Sequence, residues 1–525
     1  MRTFDGMLGL THGFNLRRNA SNFPDKMAVI DVEQDKRYTY RQFNERVNRL
    51  GNALLEQGVS KGDKVAMLMG DRVEFLEFMY ALNKIGAVWV PMNYRSLADD
   101  VEYVVNNSDA GHVVYTGEFA NIIDAVRDNF KNVKRDGYIC VGDKAVEGSL
   151  FYDAMMEGGS AREPDVDVLD SDLCSMIYTS GTTGGPKGAM RTHRTSLGWA
   201  FDAIIGFDLS FSDVMLNPFP LFHQGGSVLS LVPLTLGGTV VIPGPFDPIK
   251  MLNIIQTENV TSAAFAATMS NFMMKLPESE LNKYDLSSMR RYINGASALL
   301  TDTKNALLEH FPNIQLYEHL STTEAFYVVL PFEEIRSKDR CVGLPAFGME
   351  VKLLTDGGGE APRGEAGIIY GRGISVFNGY YNNQEANEKA FQGEWFTAED
   401  VGRFDEDGYL YVVDRKKDMI LTGGENVASI DVEDKLINHP KVAEVAVIGV
   451  PDEKWGERVH AELVLKPGVE ASEQEIMEWC RDKLAGYKRP RSVEFVKGLP
   501  KNPAGKILKR ELRKKYWGDS DLMVR

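Results

Sequence analysis

The first 170 residues alternate between two hydrophobic periods, and this alternation limits the folds that the chain can adopt. "TYRQFNERVNRLGNALLEQG" repeats apolar residues at helical spacing, and "KVAMLMG" then has the continuous apolar character of a short buried strand. The same order recurs in "VEFLEFMYALNKIG" and "AVWVPMN". Helices that alternate with continuous apolar strands predict a parallel sheet with covered faces, and therefore an α/β fold.

The pattern changes near Cys341. From there to Asp414 the chain is rich in glycine, β-branched residues and hairpin signals such as "DEDGYLYVVD". Beyond Asp414 come strand-like "VAEVAVIGV" and "HAELVLKPG", followed by a helix that begins with a Ser472–Glu475 capping box. We predict an N-terminal domain over residues 1–414, made of parallel-sheet α/β subdomains and a small β-rich part at about 341–414. A small mobile α+β domain should follow over 415–525, with a hinge near 414–418.

Charge and composition disfavour several classes of protein. The 59 basic and 75 acidic residues give a net charge of −16, which argues against non-specific binding to nucleic acid or anionic membrane. The longest uncharged stretch, residues 222–246, is broken by prolines and glycines, so we expect a buried helix and strand there and no transmembrane segment. The four cysteines form no CxxC pair, and we expect reduced, mostly buried thiols in a cytoplasmic protein.

A run of hydroxyl side chains and glycines, "YTSGTTGGPKGAMRTH", extends from Tyr178 to His193. Glycines let backbone N–H groups converge on an anion, hydroxyls add donors, and Lys187 supplies positive charge. These are the requirements of a polyphosphate-binding loop. The stretch is not a Walker A loop, because Gly188 follows Lys187 where that motif has Ser or Thr. On composition alone, a flexible surface loop explains it equally well.

"YTSGTTGGPKG" resembles the phosphate-loop signature of the acyl-adenylate-forming enzymes, which include the acyl-CoA synthetases, the firefly-type luciferases and the adenylation domains of peptide synthetases. The resemblance continues in the family's order through "PLFHQGG", "YINGASALL", "STTE", "GEWFTAEDVGRFDEDGYLYVVDRKKD", "GGEN" and "NPAGKILKREL", and it covers nearly the whole chain. Taken singly, a histidine or lysine in these segments is more often structural or merely exposed. The joint order of the motifs favours the functional interpretation.

The resemblance implies four catalytic residues. Lys506 occupies the position of the family's adenylation lysine, and His223 that of the residue that gates the passage to the substrate carboxylate. Thr323 would contact phosphate, and Glu324 would help to hold Mg²⁺ as a hard oxygen ligand.

The resemblance also implies a set of residues that bind the nucleotide and coenzyme A. The phosphate loop contributes Thr179, Ser180, Gly181, Thr182, Thr183, Gly184 and Lys187. Residues on the adenine side are Gly295, Ala296, Ser297, His319, Leu320, Ser321 and Thr322. The ribose hydroxyls would be bound by Asp400 and Arg415, the hinge would lie at Lys417, and the pantetheine channel would be lined by Gly423 and Gly424.

Three positions depart from the family pattern. Leu320 and Ser321 stand where an aromatic residue usually stacks on adenine, which puts the way adenine is held in question. Glu399 replaces a glycine beside Asp400, and Asp431 stands where a glutamate is common. None of these departures removes a charge that the reaction needs.

The resemblance therefore implies an acid–CoA ligase that uses ATP, Mg²⁺ and coenzyme A. Alternatives are a protein that loads the acyl group onto a carrier protein and a nucleotide-binding module without turnover. We expect no fused carrier domain after the last basic helix, which favours coenzyme A.

The predicted pocket segments "FDAIIGF", "HQGG" and "TSAAFAATMSNF" contain no lysine or arginine that could pair a second carboxylate. A medium- or long-chain fatty acid is the favoured substrate, and an aryl or alicyclic acid is the alternative. The prediction allows a homodimer.

Overall fold

The computed structural model describes residues 10–179, 186–295, 299, 301–311, 313–355, 357–501 and 507–517. The chain divides into two compact units. The first comprises Met1–Asp339, Pro345–Glu350 and Gly371–Phe396, and the second comprises Arg340–Leu344, Val351–Tyr370 and Thr397–Arg525. Within the described part of the chain, no helix has both the length and the apolar character that a membrane crossing requires.

The helices of the described residues range from one turn to more than four turns. They are α1 (His12–Asn22), α2 (Tyr40–Glu56), α3 (Val73–Ile85), α4 (Ala98–Asn107), α5 (Ala120–Val126), α6 (Tyr152–Gly158), α7 (His193–Gly206), α8 (Gln224–Leu236), α9 (Pro248–Thr257), α10 (Ala267–Met274), α11 (Glu278–Leu281), α12 (Thr301–His310), α13 (Gln384–Ala390), α14 (Ser429–Ile437), α15 (Glu473–Trp479) and α16 (Lys509–Trp517).

The strands are mostly short in the first unit and longest near the C-terminus. They are β1 (Met27–Asp31), β2 (Lys36–Thr39), β3 (Lys64–Leu68), β4 (Val88–Pro91), β5 (His112–Thr116), β6 (Tyr138–Val141), β7 (Leu150–Phe151), β8 (Leu173–Thr179), β9 (Lys187–Thr192), β10 (Val214–Leu216), β11 (Thr239–Ile242), β12 (Ser262–Ala266), β13 (Arg291–Gly295), β14 (Gln315–Ser321), β15 (Phe326–Leu330), β16 (Cys341–Pro345), β17 (Met349–Leu354), β18 (Ala366–Gly373), β19 (Phe391–Gln392), β20 (Trp395–Phe396), β21 (Asp400–Phe404), β22 (Leu410–Arg415), β23 (Ile420–Thr422), β24 (Glu425–Val427), β25 (Val442–Asp452), β26 (Gly456–Leu465) and β27 (Ser492–Phe495).

Two largely parallel sheets organise the first unit. One has the order β7-β6-β5-β3-β4-β8-β9, parallel from β7 to β8, with β9 antiparallel at the edge. The other places β1, β11, β10, β12, β13 and β14 side by side in parallel, with the antiparallel strands β2 and β15 next to β1 and β14. The predicted α/β class with parallel sheets is confirmed.

Helix α3 shows why these sheets have covered faces. Every residue from Val73 to Ile85 is buried, and Gly86 ends the helix in a left-handed conformation with φ 72°. The uncharged stretch 222–246 likewise forms buried α8 and then β11, as predicted. Both α3 and the α8–β11 stretch are thus covered on nearly all sides, as expected for elements that pack on a parallel sheet.

The second unit is mainly antiparallel. Strands β18, β21 and β22 pair in that order, and the Asp405–Gly408 turn joins β21 to β22 as the "DEDG" signal predicts. The C-terminal sheet has the order β24-β23-β26-β25, with β27 parallel to β26. A compact core of Val432, Leu436, Val447, Ile476 and other apolar residues lies under this sheet.

The predicted boundary at 414–418 lies inside the second unit, between β22 and β23. The division into residues 1–414 and 415–525 stays a prediction. The prediction for the cysteines is confirmed, because Cys140, Cys174, Cys341 and Cys480 are all free and buried.

Candidate active site

The phosphate-loop signature lies between two paired strands. Thr179 ends β8, Lys187 begins β9, and the two residues are direct partners in the antiparallel ladder. The ladder therefore fixes both ends of the loop. Ser180, Gly181, Thr182, Thr183 and Gly184 lie outside the described residues.

Lys187 and Glu324 both contact Tyr380. The Lys187 ammonium lies 5.3 Å from the centroid of the Tyr380 ring. The Tyr380 hydroxyl donates a 2.8 Å hydrogen bond to Oε1 of Glu324, whose side chain is buried. One tyrosine thus joins the cation at the end of the phosphate loop to the carboxylate of the predicted metal site.

The "STTE" motif forms the tight turn between β14 and β15. The N–H of Thr322 donates to the Ala325 carbonyl at 2.8 Å, and Oγ1 of Thr322 accepts from the N–H groups of Glu324 and Ala325 at 3.2 Å each. A register shift between Leu320 and Ser321 marks the start of the turn. The hydroxyl of Thr322 thereby holds the backbone from which Thr323 and Glu324 project.

A segment around residues 375–381 lies along β9 and backs this turn. The N–H of Phe377 donates to the Glu324 carbonyl at 2.8 Å, and the N–H of Met190 donates to the Gly379 carbonyl at 3.0 Å. Tyr380 also bridges Ala189 in antiparallel fashion. The turn, the edge strand and the segment are therefore tied together by backbone hydrogen bonds.

The adenine-side prediction brings Gly295 and His319 together on neighbouring strands. A Cβ atom at Gly295 would lie 2.7 Å from Cε1 of His319. The His319 ring stacks on Phe326 at 5.3 Å and meets Phe207 edge-on at 5.2 Å. Burial lowers the pKa of His319 to about 4, so the ring is neutral at physiological pH. Ala296 and Ser297 lie outside the described residues.

His223 caps the N-terminus of α8. Its Nδ1 accepts a 3.2 Å hydrogen bond from the N–H of Gly225. The N–H of Leu221, two residues earlier, donates to the half-buried carboxyl of Asp71 at 2.5 Å, and desolvation raises the pKa of Asp71 to about 6. The structure therefore fixes His223 at a helix start, and a carboxyl group that sequence reasoning missed, Asp71, bonds the chain two residues before it.

The predicted ribose-binding pair is present in the second unit. Asp400 on β21 and Arg415 on β22 are direct partners in the ladder, and Nε of Arg415 lies 3.1 Å from Oδ1 of Asp400. Asp400 is buried. Glu399, at the position where the family has glycine, adopts φ 62°, a left-handed conformation that glycine reaches without strain. This departure from the family pattern therefore retains the backbone conformation that a glycine would favour.

The predicted hinge residue Lys417 lies in a short 3₁₀ turn after β22, and its burial lowers its pKa to about 8. On one side of it, Asp414 accepts hydrogen bonds of 2.6 Å from both the N–H and the hydroxyl of Ser429. On the other side, Arg513 forms an ion pair with Asp418 at 2.8 Å. The second unit therefore anchors the chain closely on either side of Lys417.

Gly423 and Gly424 form the turn between β23 and β24, with φ values of 62° and 87°. A Cβ atom at Gly423 would lie 2.7 Å from Cε3 of Trp455, whereas a Cβ at Gly424 would meet nothing within 4 Å. Arg491 lies over the Trp455 ring at 4.3 Å. Lys506 lies outside the described residues.

Sequence reasoning missed Tyr380 and Arg191, the side chains that organise the Thr322–Ala325 turn. Tyr380 belongs to "NGYY" in the glycine-rich region, where a glycine before an aromatic residue signals only a turn. Arg191 follows the phosphate loop and resembles any strand residue. Arg191 contacts the turn from 132 positions away and Tyr380 from 56, and no local pattern reveals such contacts.

Comparison with known proteins supports the predicted family over almost the whole chain. Residues 16–381 match the model of the AMP-binding enzyme family, and residues 431–506 match that of the AMP-binding enzyme C-terminal domain. The chain is 35% identical over 508 residues to the long-chain-fatty-acid–CoA ligase FadD13 of Mycobacterium tuberculosis (strain ATCC 25618 / H37Rv), covering 96% of this chain and 98% of that protein.

Two solved structures are similar to the whole chain. The anthranilate CoA ligase AuaEII in complex with anthranoyl-AMP has a TM-score of 0.89 at 29% identity, covering 98% of this chain and 99% of that one. The o-succinylbenzoate coenzyme A synthetase MenE from Bacillus subtilis, in complex with ATP and magnesium ion, has a TM-score of 0.82 at 27% identity, covering 95% and 98%. The predicted family, its ligase class and its use of ATP, Mg²⁺ and coenzyme A are confirmed at the level of the family. The chain belongs to the AMP-binding enzyme family, among relatives that are acyl-CoA synthetases.

Proposed function

We propose that the protein is an AMP-forming acid–CoA ligase that acts on an apolar carboxylic acid. The observation that carries this proposal is the arrangement around Tyr380, which links the end of the phosphate loop at Lys187 to the buried carboxylate of Glu324. Binding of a nucleoside triphosphate with its metal ion requires a protein cation and a hard metal ligand at adjacent positions. The match to the family over nearly the whole chain supports the same activity.

The reaction first makes the carboxylate electrophilic. An oxygen of the carboxylate attacks the α-phosphorus of ATP, the bond from that phosphorus to the bridging oxygen breaks, and pyrophosphate leaves. Negative charge accumulates around phosphorus as two anions meet, so positive charge placed there lowers the barrier. We assign Lys187 to supply it on the phosphate side, and Lys506 to supply it as the adenylating lysine that the family motif implies.

The donors around the turn fit a hard divalent cation. Glu324 offers a carboxylate whose one oxygen is oriented by Tyr380, and Thr323 brings a hydroxyl to the same turn. Oxygen donors of this kind are those that Mg²⁺ prefers. Bound with the nucleotide, Mg²⁺ would neutralise charge on the phosphates. We assign Glu324 as its protein ligand.

We assign the remaining nucleotide contacts to the residues that the family motifs mark. Asp400 and Arg415 would bind the ribose hydroxyls, with Arg415 fixing the orientation of the carboxylate through their 3.1 Å ion pair. Gly295, His319 and Leu320 would lie on the adenine side. Because Leu320 is not aromatic, it would hold the base by apolar contact and not by aromatic stacking.

In the second half-reaction, the thiol of coenzyme A loses its proton and the sulfur attacks the acyl carbon. The bond from that carbon to the oxygen on phosphorus breaks, and AMP leaves with that oxygen. We assign Gly423 and Gly424 to the channel for pantetheine and Lys417 to a hinge between the half-reactions. Asp414 and Asp418 are both bonded to residues of the same unit, so a pivot at Lys417 would require one of these contacts to open.

A fatty acid of medium or long chain is the favoured substrate. The similarity to a protein named for long-chain fatty acids supports it, and the predicted pocket segments contain no lysine or arginine that could pair a second carboxylate. The similarity to an anthranilate CoA ligase supports the alternative, an aryl acid. His223, fixed at the start of α8, would gate access to the carboxylate.

A panel of carboxylic acids tests the proposal. Release of pyrophosphate from ATP should require the acid, and CoA should convert the product to acyl-CoA. Transfer to a carrier protein without transfer to CoA would favour the carrier-loading alternative.

Lys506→Ala should abolish adenylate formation and spare thioester formation from supplied acyl-adenylate. Equal loss of both half-reactions would refute the role of Lys506. A cytoplasmic location and a homodimer stay predictions.

A further inference from the structure

Arg191 is a buried cation. Its side chain is 1% exposed, and among the described residues its guanidinium bonds to main-chain carbonyls, with no carboxylate within ion-pair distance. Arginine is rarely buried so completely unless it is paired, because removing the charge from water is costly. Arg191 lies on β9, four residues after Lys187 at the end of the phosphate loop, and this position points to a role in the site.

The guanidinium binds main-chain carbonyls from three different segments. It donates to Thr323 at 2.7 Å, to Ser375 at 2.9 Å and to Thr195 at 3.2 Å. Thr323 lies in the turn that carries Glu324, and Ser375 starts the segment that carries Tyr380. A planar guanidinium offers several N–H donors in a fixed fork, so one side chain can set the spacing between these segments.

The charge of Arg191 also interacts with Glu324. Burial lowers the pKa of Arg191 to about 10, and the Glu324 carboxylate opposes that shift, so the guanidinium remains protonated at neutral pH. The two groups do not touch, and Glu324 is left to accept from Tyr380. A fixed cation near the turn thus compensates the charge of the carboxylate that is the predicted metal ligand.

We infer that Arg191 is a positioning residue for the adenylation step. It holds the Thr323–Glu324 backbone against the segment of Tyr380 and balances the carboxylate of Glu324 in the absence of nucleotide. This inference rests on the proposed function. Adenylation requires the phosphate and metal contacts of the turn, whereas thioester formation from a finished acyl-adenylate does not involve pyrophosphate or the metal. Loss of Arg191 should therefore affect the two half-reactions unequally.

The experiment compares Arg191→Met, Arg191→Lys and the wild type. Arg191→Met removes the charge and all three hydrogen bonds. It should weaken MgATP binding, measured by calorimetry, and lower kcat/KM for pyrophosphate release on the order of tenfold to a hundredfold, as expected when reacting groups are misplaced. Arg191→Lys keeps the charge but not the fork, and should give an intermediate loss. Thioester formation from supplied acyl-adenylate should change at most a few-fold in both variants.

Arg41→Met is the matched control, because Arg41 forms an exposed ion pair with Asp25 at 3.0 Å and lies on α2. It should retain MgATP binding and both half-reactions. If Arg191→Met does not fold, the same measurements on Arg191→Lys alone test the inference. Wild-type MgATP affinity in the Arg191 variants, or an equal loss of both half-reactions, would overturn the inference. A wild-type protein that binds MgATP but forms no acyl-CoA would instead contradict the proposed function, and the binding comparison would still test Arg191.

Discussion

Gly295 leaves space that His319 occupies, since a Cβ atom at this glycine would lie 2.7 Å from Cε1 of the imidazole. The ring cannot move aside freely, because Phe326 stacks on it and Phe207 meets it edge-on. The two residues lie on neighbouring parallel strands at the predicted adenine side of the site. Residue 295 therefore has no room for a side chain while residue 319 is a histidine.

Gly295→Ala should lower the thermal midpoint and raise KM for ATP, because the added methyl group displaces the His319 ring. His319→Ala creates space at the same place. The double variant Gly295→Ala/His319→Ala should thus be more stable than the sum of the two single effects predicts. Strict additivity of the thermal midpoints, measured by differential scanning fluorimetry, would show that the two residues are not coupled.

Tyr380→Phe should reduce adenylation while leaving the fold intact. The variant keeps the ring that lies near Lys187 but loses the 2.8 Å hydrogen bond to Glu324. A free carboxylate oxygen in a buried site is less well oriented, so we expect a several-fold lower kcat/KM and a requirement for more Mg²⁺. The measurement is initial-rate pyrophosphate release as a function of Mg²⁺ concentration.

The adjacent tyrosine provides the control. The Tyr381 hydroxyl donates to the exposed Asp109 at 2.8 Å. Tyr381→Phe should leave the Mg²⁺ dependence unchanged. If the two variants give the same Mg²⁺ profile as the wild type, Tyr380 does not orient the metal ligand.

Gly423→Ala should impair the coenzyme A step more than Gly424→Ala does. Both glycines have positive φ, so alanine strains the backbone at either position. At Gly423 the methyl group would also lie 2.7 Å from the Trp455 ring, whereas the space beside Gly424 is open. Thioester formation from supplied acyl-adenylate should distinguish the two variants, with pyrophosphate release nearly unchanged in both. Equal rates of thioester formation in the two variants would show that the space between Gly423 and Trp455 is not part of the pantetheine channel.

His193 should make the protein less stable as the pH falls. Burial lowers the pKa of His193 to about 3, against an ordinary value of 6.5. Between these values the unfolded chain binds a proton that the folded chain excludes, so stability is full above pH 6.5 and declines towards pH 3. Asp71 and Asp202, whose pKa values burial raises to about 6, act in the opposite direction.

A comparison with His193→Gln isolates this residue from the other titrating groups. The fall in thermal midpoint between about pH 7 and pH 5 should be smaller in the variant than in the wild type, because glutamine takes up no proton. Identical falls would show that His193 does not contribute to the acid sensitivity.

The sequence predicted those parts of the molecule that depend on local periodicity. The α/β alternation, the buried α8–β11 pair and the hairpin after Phe404 follow from patterns within about twenty residues. The clustering of Lys187, Tyr380 and Glu324 does not, because it depends on how β9, β14 and the 375–381 segment meet in space. Family motifs marked Lys187 and Glu324 as separate residues. The structure adds Tyr380 as their common contact and Arg191 as the cation behind them.

Domain division was harder to predict, because composition changes along the chain while contacts form in space. Residues 351–370, in the stretch whose glycines and hairpin signals predict a β-rich part of the N-terminal domain, cluster with the C-terminal residues. The segment around Tyr380 belongs to the same stretch of sequence but clusters with the first unit. A pattern of residue types does not reveal which of the two cores a strand joins.

Isotope transfer tests the formation of an acyl-adenylate most directly. The acid is supplied with ¹⁸O in its carboxylate, together with unlabelled ATP, Mg²⁺ and coenzyme A, and the AMP is analysed by mass spectrometry. The account predicts one ¹⁸O atom in each AMP, because the attacking carboxylate oxygen stays on phosphorus when sulfur displaces the nucleotide. AMP without label, or the release of ADP and phosphate, would contradict it.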